Sequence, residues 1–317
     1  MPNILSVIVP VFAIIGVGYF LTRKELITRD TLPVLSKLVL FCLIPALNFG
    51  TIAKMKLEEV LVWDFLGVYA IAALLAQLVA LLVFRGLFGN STTEAAIKAL
   101  GVSMPNSIFV GFPVITQAFG PQWGHTFMFA VIIENIVILP AVLIMAELGN
   151  SRAGGGQSLL QVIKGIGHRL SRNPIIISMT LGLIVCASGI SLPEAISRPL
   201  SVLGSAAPGL ALLIIGGSLV GTQLKGNLAE LGTLSAIKLL VHPLMVVAVL
   251  LVWPPVDPIM MGLLIVYAAL PSAAVFPIIG GQYGQRDFCA SSLALTTLLS
   301  FFSLALVLSL VLPRVMQ

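Results

Sequence analysis

Ten apolar runs, each close to the length needed to cross a bilayer, follow one another along this chain and leave few folds open to it. They lie at about residues 3–21, 33–52, 62–84, 95–118, 124–147, 174–190, 201–221, 231–252, 259–283 and 289–312. A helix needs about 20 apolar residues to cross ~30 Å of hydrocarbon. Backbone groups at that depth find no water, so each run has to close its own hydrogen bonds as a helix. Composition points the same way: 58% of residues are hydrophobic and 9% are charged, whereas a soluble domain carries roughly 25% charged residues. The fold class expected is an all-α polytopic membrane protein of about ten transmembrane helices.

The net charge of +5 comes from Lys and Arg scattered through short loops, with no basic run beside aromatics, so no nucleic-acid partner is expected. Cys42, Cys186 and Cys289 show no CxxC or metal-ligand spacing and read as small apolar residues, with neither a metal nor a disulfide expected. The first run lacks a basic n-region and an A-x-A-like end, and reads as a retained helix.

The one long polar stretch, about Leu148 to Asn173, holds Gly154, Gly155, Gly156 and the basic residues Arg152, Lys164, Arg169 and Arg172. It reads as a cytoplasmic linker at 149–173 between halves at 1–148 and 174–317. With ten spans, the odd-numbered loops and adjoining helix ends carry all of the 17 basic residues except Lys54, Lys56, Arg198 and Arg314. Lys98, Lys225 and Lys238 fall on the richer side. The positive-inside rule then puts that side in the cytoplasm and both termini outside.

The halves share a pattern. Phe112-Pro113-Val114-Ile115 precedes Phe119-Gly120, and Phe276-Pro277-Ile278-Ile279 precedes Tyr283-Gly284, about half a chain later. The copies fall in the fourth and ninth runs, which are equivalent if the chain is two repeats of five. An odd number of spans per repeat inverts the second copy, an architecture recurrent in secondary transporters. Both runs also carry helix breakers: Pro105 and Asn106 with Gly111 and Pro113 beyond, and Pro271 and Ser272 with Pro277 beyond. Freed backbone at membrane depth is tolerated only against protein or a watery cavity. Two ordinary proline kinks would be the plain reading; a matched pair points to a substrate site.

Ser103-Met104-Pro105-Asn106-Ser107-Ile108-Phe109-Val110-Gly111-Phe112-Pro113 resembles the crossover segment of PIN-type plant auxin carriers, which runs close to S-L-P-N-T-L-V-M-G-I-P. Ala269-Leu270-Pro271-Ser272 resembles their second crossover, and Lys238 to Leu244 resembles a stretch of the eighth helix in the wider auxin efflux carrier family. The chain looks like a bacterial-type member, similar to those described as malonate or malate permeases. The resemblance implies two inverted five-helix repeats, helices crossing at their prolines, an organic-anion substrate and a homodimer. The long hydrophilic loop of plant PINs is missing, and Ser272 stands where they often have an amide, so auxin itself is not implied.

Several residues can carry transport. Asn106 and Ser107 can hydrogen-bond a carboxylate beside a half-helix N-terminus, or Asn106 can simply satisfy backbone freed by Pro105. Ser272 can do the same at the second break, or only permit close packing. Glu134, with Asn135 beside it, is an ionisable residue in mid-span and by default a functional candidate, for a proton, a cation or a basic partner. Lys238 and His242 share a helix face one turn apart. Lys238 can neutralise a carboxylate, pair with Glu134 or snorkel to the surface; His242 can titrate near neutral pH or merely pack. Asn48 and Gln77 read as interhelical glue.

No cofactor is expected, and coupling to protons or sodium would run through Glu134. HExxH, GxGD and DDxxD motifs are absent, so the chain is not read as an enzyme. The function expected is alternating-access transport of small mono- or dicarboxylates across a bacterial inner membrane. A channel or a transporter-like sensor is the alternative.

Overall fold

A computed structural model of the chain describes residues 4–55, 62–152, 159–221 and 227–315. Lys56, Gly154, Gly155, Gly156 and Lys225 lie outside these residues. Among the described residues the long elements are all helices. They are α1 (Ile4–Arg23), α2 (Thr31–Ile52), α3 (Trp63–Gly86), α4 (Thr92–Ser103), α5 (Ser107–Ala118), α6 (Pro121–Asn150), α7 (Leu159–Ser171), α8 (Pro174–Ser188), α9 (Glu194–Leu219), α10 (Leu228–Val252), α11 (Pro258–Ala269), α12 (Phe276–Gly281) and α13 (Arg286–Val315). Six of them, α2, α3, α6, α9, α10 and α13, are long and apolar enough to cross a membrane; α1, α5, α8 and α11 contribute shorter apolar helices.

The breaks expected in the fourth and ninth runs are present, and the polar stretch between the halves carries a helix of its own. The fourth and ninth runs are each two helices, α4 and α5 and then α11 and α12, with non-helical backbone at 104–106 and near 270–275. The seventh run, α9, is unbroken through Pro199 and Pro208. The polar stretch at 149–173 contains α7. There Leu159, Ile163, Ile166 and Leu170 recur every three or four positions between Lys164, His168 and Arg169. That is an amphipathic helical pattern, too short to count as a span.

Prolines also leave a mark inside the helices. Four π-helical stretches, Val39–Leu43, Ser107–Gly111, Glu134–Ile138 and Ile237–Val241, each end two residues before a proline: Pro45, Pro113, Pro140 and Pro243. Proline removes a donor and clashes with the carbonyl four residues back. Widening the preceding turn relieves that clash without ending the helix. Gly111 and Pro113 therefore sit inside a continuous α5 and do not break it. Pro277 lies in the first turn of α12, where its missing N–H costs nothing.

The helices pack as two bundles that interleave the two sequence halves. In one, α1 lies against α9, and α2 against α8 and α9. Small residues permit this closeness: a side chain at Gly18 or Gly216 would run into backbone of the facing helix, at Leu213 and Ile15. In the other, α3 packs on α4 and α10, α4 on α6, and α11 on α10 and α13. Its core is rich in alanine and aromatic residues, including Ala72, Ala76, Phe65 and Phe129.

This second bundle is tied at one end by a buried ion pair. Lys98 of α4 meets Glu230 of α10 at 2.9 Å, and Asn90 donates to the same Glu230 oxygen at 2.8 Å. Lys98 also bonds the Asn90 amide oxygen and lies 4.7 Å from the Phe288 ring centre. Removing one member strands the other charge at a cost of about 3 kcal/mol or more, whereas replacing both by apolar residues is often close to neutral. Lys98→Met should therefore lower the thermal unfolding midpoint in detergent markedly. Adding Glu230→Leu should recover most of the loss.

Candidate functional site

The two helix breaks find their hydrogen-bond partners in each other. The Asn106 N–H donates to the Pro271 carbonyl at 2.8 Å, and the Ala273 N–H donates to the Met104 carbonyl at 2.9 Å. Pro105 and Ser272 face each other between these bonds as one antiparallel bridge. Pro105 thus occupies the position of a two-strand ladder that needs no inward donor, which is where proline fits. Ser272 is fully buried. Its hydroxyl donates to the Gly101 carbonyl at 2.6 Å, and its N–H reaches Thr296 of α13 at 3.3 Å.

Beyond the bridge α5 begins. The Asn106 side-chain oxygen caps it by accepting from the Phe109 N–H at 3.3 Å. Its amide nitrogen is buried and has no hydrogen-bond partner, although Asn106 lines a cavity of about 370 Å³. The cavity lies between the bundles. One wall is Met104 to Phe109, Glu134, Asn135 and the stretch from Ala273 into α12; the other is Ser36, Leu40 and Phe41 of α2 with Asn173, Pro174 and Ile175 at the start of α8. First-turn N–H groups of α5 have no intrahelical acceptor, so this end of the cavity is electropositive.

Glu134 stands at the start of the α6 π stretch and is 3% exposed. Its Oε1 accepts hydrogen bonds from the Ser107 hydroxyl and, at 3.2 Å, from Tyr69 of α3. Asn135 lines the cavity while its amide donates to the Val131 carbonyl at 2.9 Å. Lys238 and His242 are fully buried behind this group, with Lys238 Nζ 3.0 Å from His242 Nδ1 and donating to the Ala268 carbonyl at 3.2 Å. Lys238 makes no ion pair with Glu134. Tyr69, which donates to Glu134, has its ring 6.5 Å from the His242 ring.

The structure therefore brings Pro105, Asn106, Ser107, Glu134 and Asn135 to one cavity. Pro271, Ser272, Lys238 and His242 do not line it. Gly111 marks a close approach: a side chain there would come within 2.8 Å of Leu270 and 3.1 Å of Tyr267. Asn48 is buried, but neither amide atom has a hydrogen-bond partner, so it is not the interhelical glue expected. Sequence reasoning missed Tyr69 and the Asn173 end of α8. A tyrosine in mid-span has a hydroxyl that needs a partner, and that signal was available for Tyr69.

Paired breaks and a polar-edged cavity between two apolar bundles define a membrane transport protein rather than an enzyme. The chain belongs to the family described as "Membrane transport protein", the auxin efflux carrier-like family, which matches residues 3–308. It is 27% identical to a Rhizobium meliloti (strain 1021) protein named "Putative malonate transporter", over 95% of this chain and 93% of the relative. It is 24% identical to the "Uncharacterized transporter YfdV" of Escherichia coli (strain K12), over 75% of each chain, and equally to that of Shigella flexneri. It is a multi-pass membrane protein.

The placement of Ser272 yields a test. Its hydroxyl is consumed by the Gly101 carbonyl, so Ser272→Ala should cost about 1 kcal/mol of stability, the net worth of one such bond. The apparent affinity for any transported ligand should stay within twofold in a binding titration.

Proposed function

We propose that this protein moves small organic anions, mono- or dicarboxylates such as malonate, across a bacterial inner membrane by alternating access. The observation that carries this reading is the unpartnered, buried amide nitrogen of Asn106, a residue at the N-terminus of α5 that lines the cavity between the bundles. A carboxylate placed there would accept from that amide and from first-turn N–H groups. Asn135 and the Asn173 end of α8 supply further polar contacts. Pro105, Pro271 and Ser272 hold the two breaks in register. Lys238 provides a positive charge behind the site, with His242 as its hydrogen-bond partner. The malonate named for the Rhizobium relative agrees with a site of this size and polarity.

The chain reads as two inverted repeats of five, at 1–148 and 174–317. Each bundle combines equivalent members: α1 and α2 with α8 and α9, and α3 to α6 with α10 to α13. In this mechanism the bundle bearing the breaks moves against the other, turning the cavity from one side to the other. Both termini lie outside the cytoplasm, and two copies associate as in the family that the sequence resembles. For any net negative charge carried out of a cell that is negative inside, the potential supplies about 2.3 kcal/mol per charge per 100 mV.

Labelled malonate, alongside other mono- and dicarboxylates, should show saturable flux in proteoliposomes. A hydrogen bond to a charged group is worth about 1.5–3 kcal/mol, so Asn106→Ala should weaken apparent affinity roughly 10- to 100-fold. Carboxylate flux that never saturates would indicate a channel, and binding without flux a sensor. Normal transport by Asn106→Ala would remove the site.

A further inference from the structure

Glu134 presents a difficulty for any anion in this cavity. Its carboxylate shares Ser107 with the electropositive end of α5, where a bound carboxylate would sit. With Glu134 ionised and Lys238 charged, the empty site holds one charge of each sign. Adding an anion leaves a negative charge uncompensated beside a buried carboxylate, which is unfavourable. One added positive charge restores the balance.

That charge can be a proton or a metal cation, and the surroundings distinguish them. The Ser107 and Tyr69 hydroxyls both donate toward Glu134 Oε1, so their protons face the place a cation would occupy. The carbonyls of Met104 and Pro271, the natural cation ligands at a broken helix, are already accepting from Ala273 and Asn106. The titratable groups facing Glu134 are Tyr69 from α3, Tyr267 from α11, and Lys238 with His242 beside it from α10. The cavity-lining residues of α2, α8 and the second break carry no charge.

We infer that Glu134 is the proton site of the transporter: it takes up one proton as the organic anion enters the cavity between the bundles and releases it as the anion leaves, making transport an obligatory proton–anion symport. This rests on the organic-anion reading of the same cavity. The proton balances one negative charge of the substrate, so the loaded site keeps the net charge of the empty one for a monoanion and gains one negative charge for a dianion. Ser107 and Tyr69 are positioning residues that hold the carboxyl group toward the cavity.

The test is calorimetric titration of the purified protein with malonate near pH 7.5, in two buffers of different ionisation enthalpy, with sodium and then potassium as the salt. Wild type should take up about one proton per malonate bound in either salt. Glu134→Gln should bind malonate with about none. Wild-type binding without proton uptake, uptake retained in Glu134→Gln, or binding that requires sodium would each overturn the inference while leaving the anion site standing. No malonate binding by wild type would remove the anion reading and this inference with it. Should Glu134→Gln fail to fold, infrared difference spectra of wild type decide the matter. A protonated carboxyl band must appear on malonate binding and shift when the protein's glutamate is carbon-13 labelled; a band that shifts only with labelled malonate, or none at all, overturns the assignment.

Discussion

Two peptide bonds' worth of unpaired backbone is an expensive thing to carry into a bilayer, and this fold is arranged around placing such backbone twice. Each break strands donors and acceptors where lipid offers none. Bringing the breaks face to face lets the Asn106 N–H use the Pro271 carbonyl and the Ala273 N–H use the Met104 carbonyl. Ser272 ties the second break further, its hydroxyl bonded to the Gly101 carbonyl and its N–H to Thr296. Neither break is satisfied alone, so the fourth and ninth apolar runs have to meet. That requirement fixes which helices share a bundle and leaves a cavity on the side where the other bundle closes over them.

Much of this was legible in the prolines and the repeat. Pro105 with Asn106 and Pro271 with Ser272 stand at the points where the helices end, and the halves of the sequence carry them at equivalent places. Less legible was what lies behind them. Pro113 and Gly111 read as breakers, yet a π turn absorbs the proline and Gly111 serves packing against Tyr267 and Leu270. A one-dimensional pattern cannot tell a widened turn from a broken one, because both relieve the same clash. The π stretch recurs two residues before a proline in four helices, yet Pro199 and Pro208 sit in α9 without one, so the proline alone does not decide which.

The charged residues were read less well than the apolar ones. Lys98 counts in the sequence as one more basic residue on the cytoplasmic side, but in the fold it is buried against Glu230, a partner far away in sequence. The sequence leaves Lys238 open to pairing with Glu134, neutralising a carboxylate or snorkelling; in the fold it turns to His242 and Ala268 while Glu134 takes hydroxyls from Ser107 and Tyr69. Periodicity gives the face a side chain occupies and says nothing of which distant chain segment meets it. The hydrophobic pattern survives that ignorance, because any apolar neighbour will serve; an ion pair does not.

The separation of Lys238 from Glu134 also bears on how the cavity can work. A direct ion pair would satisfy both charges permanently and leave the substrate nothing to exchange with. Here each charge is held by neutral groups, Glu134 by the Ser107 and Tyr69 hydroxyls and Lys238 by His242 and the Ala268 carbonyl. Neutral hydrogen bonds stabilise a charge without cancelling it, so a change of charge at one position remains felt at the other in a medium of low dielectric. An anion arriving beside Asn106 would enter that field directly. On the proposed reading, holding Glu134 and Lys238 on separate neutral partners is what keeps the site responsive to its ligand, because neither charge is spent on the other.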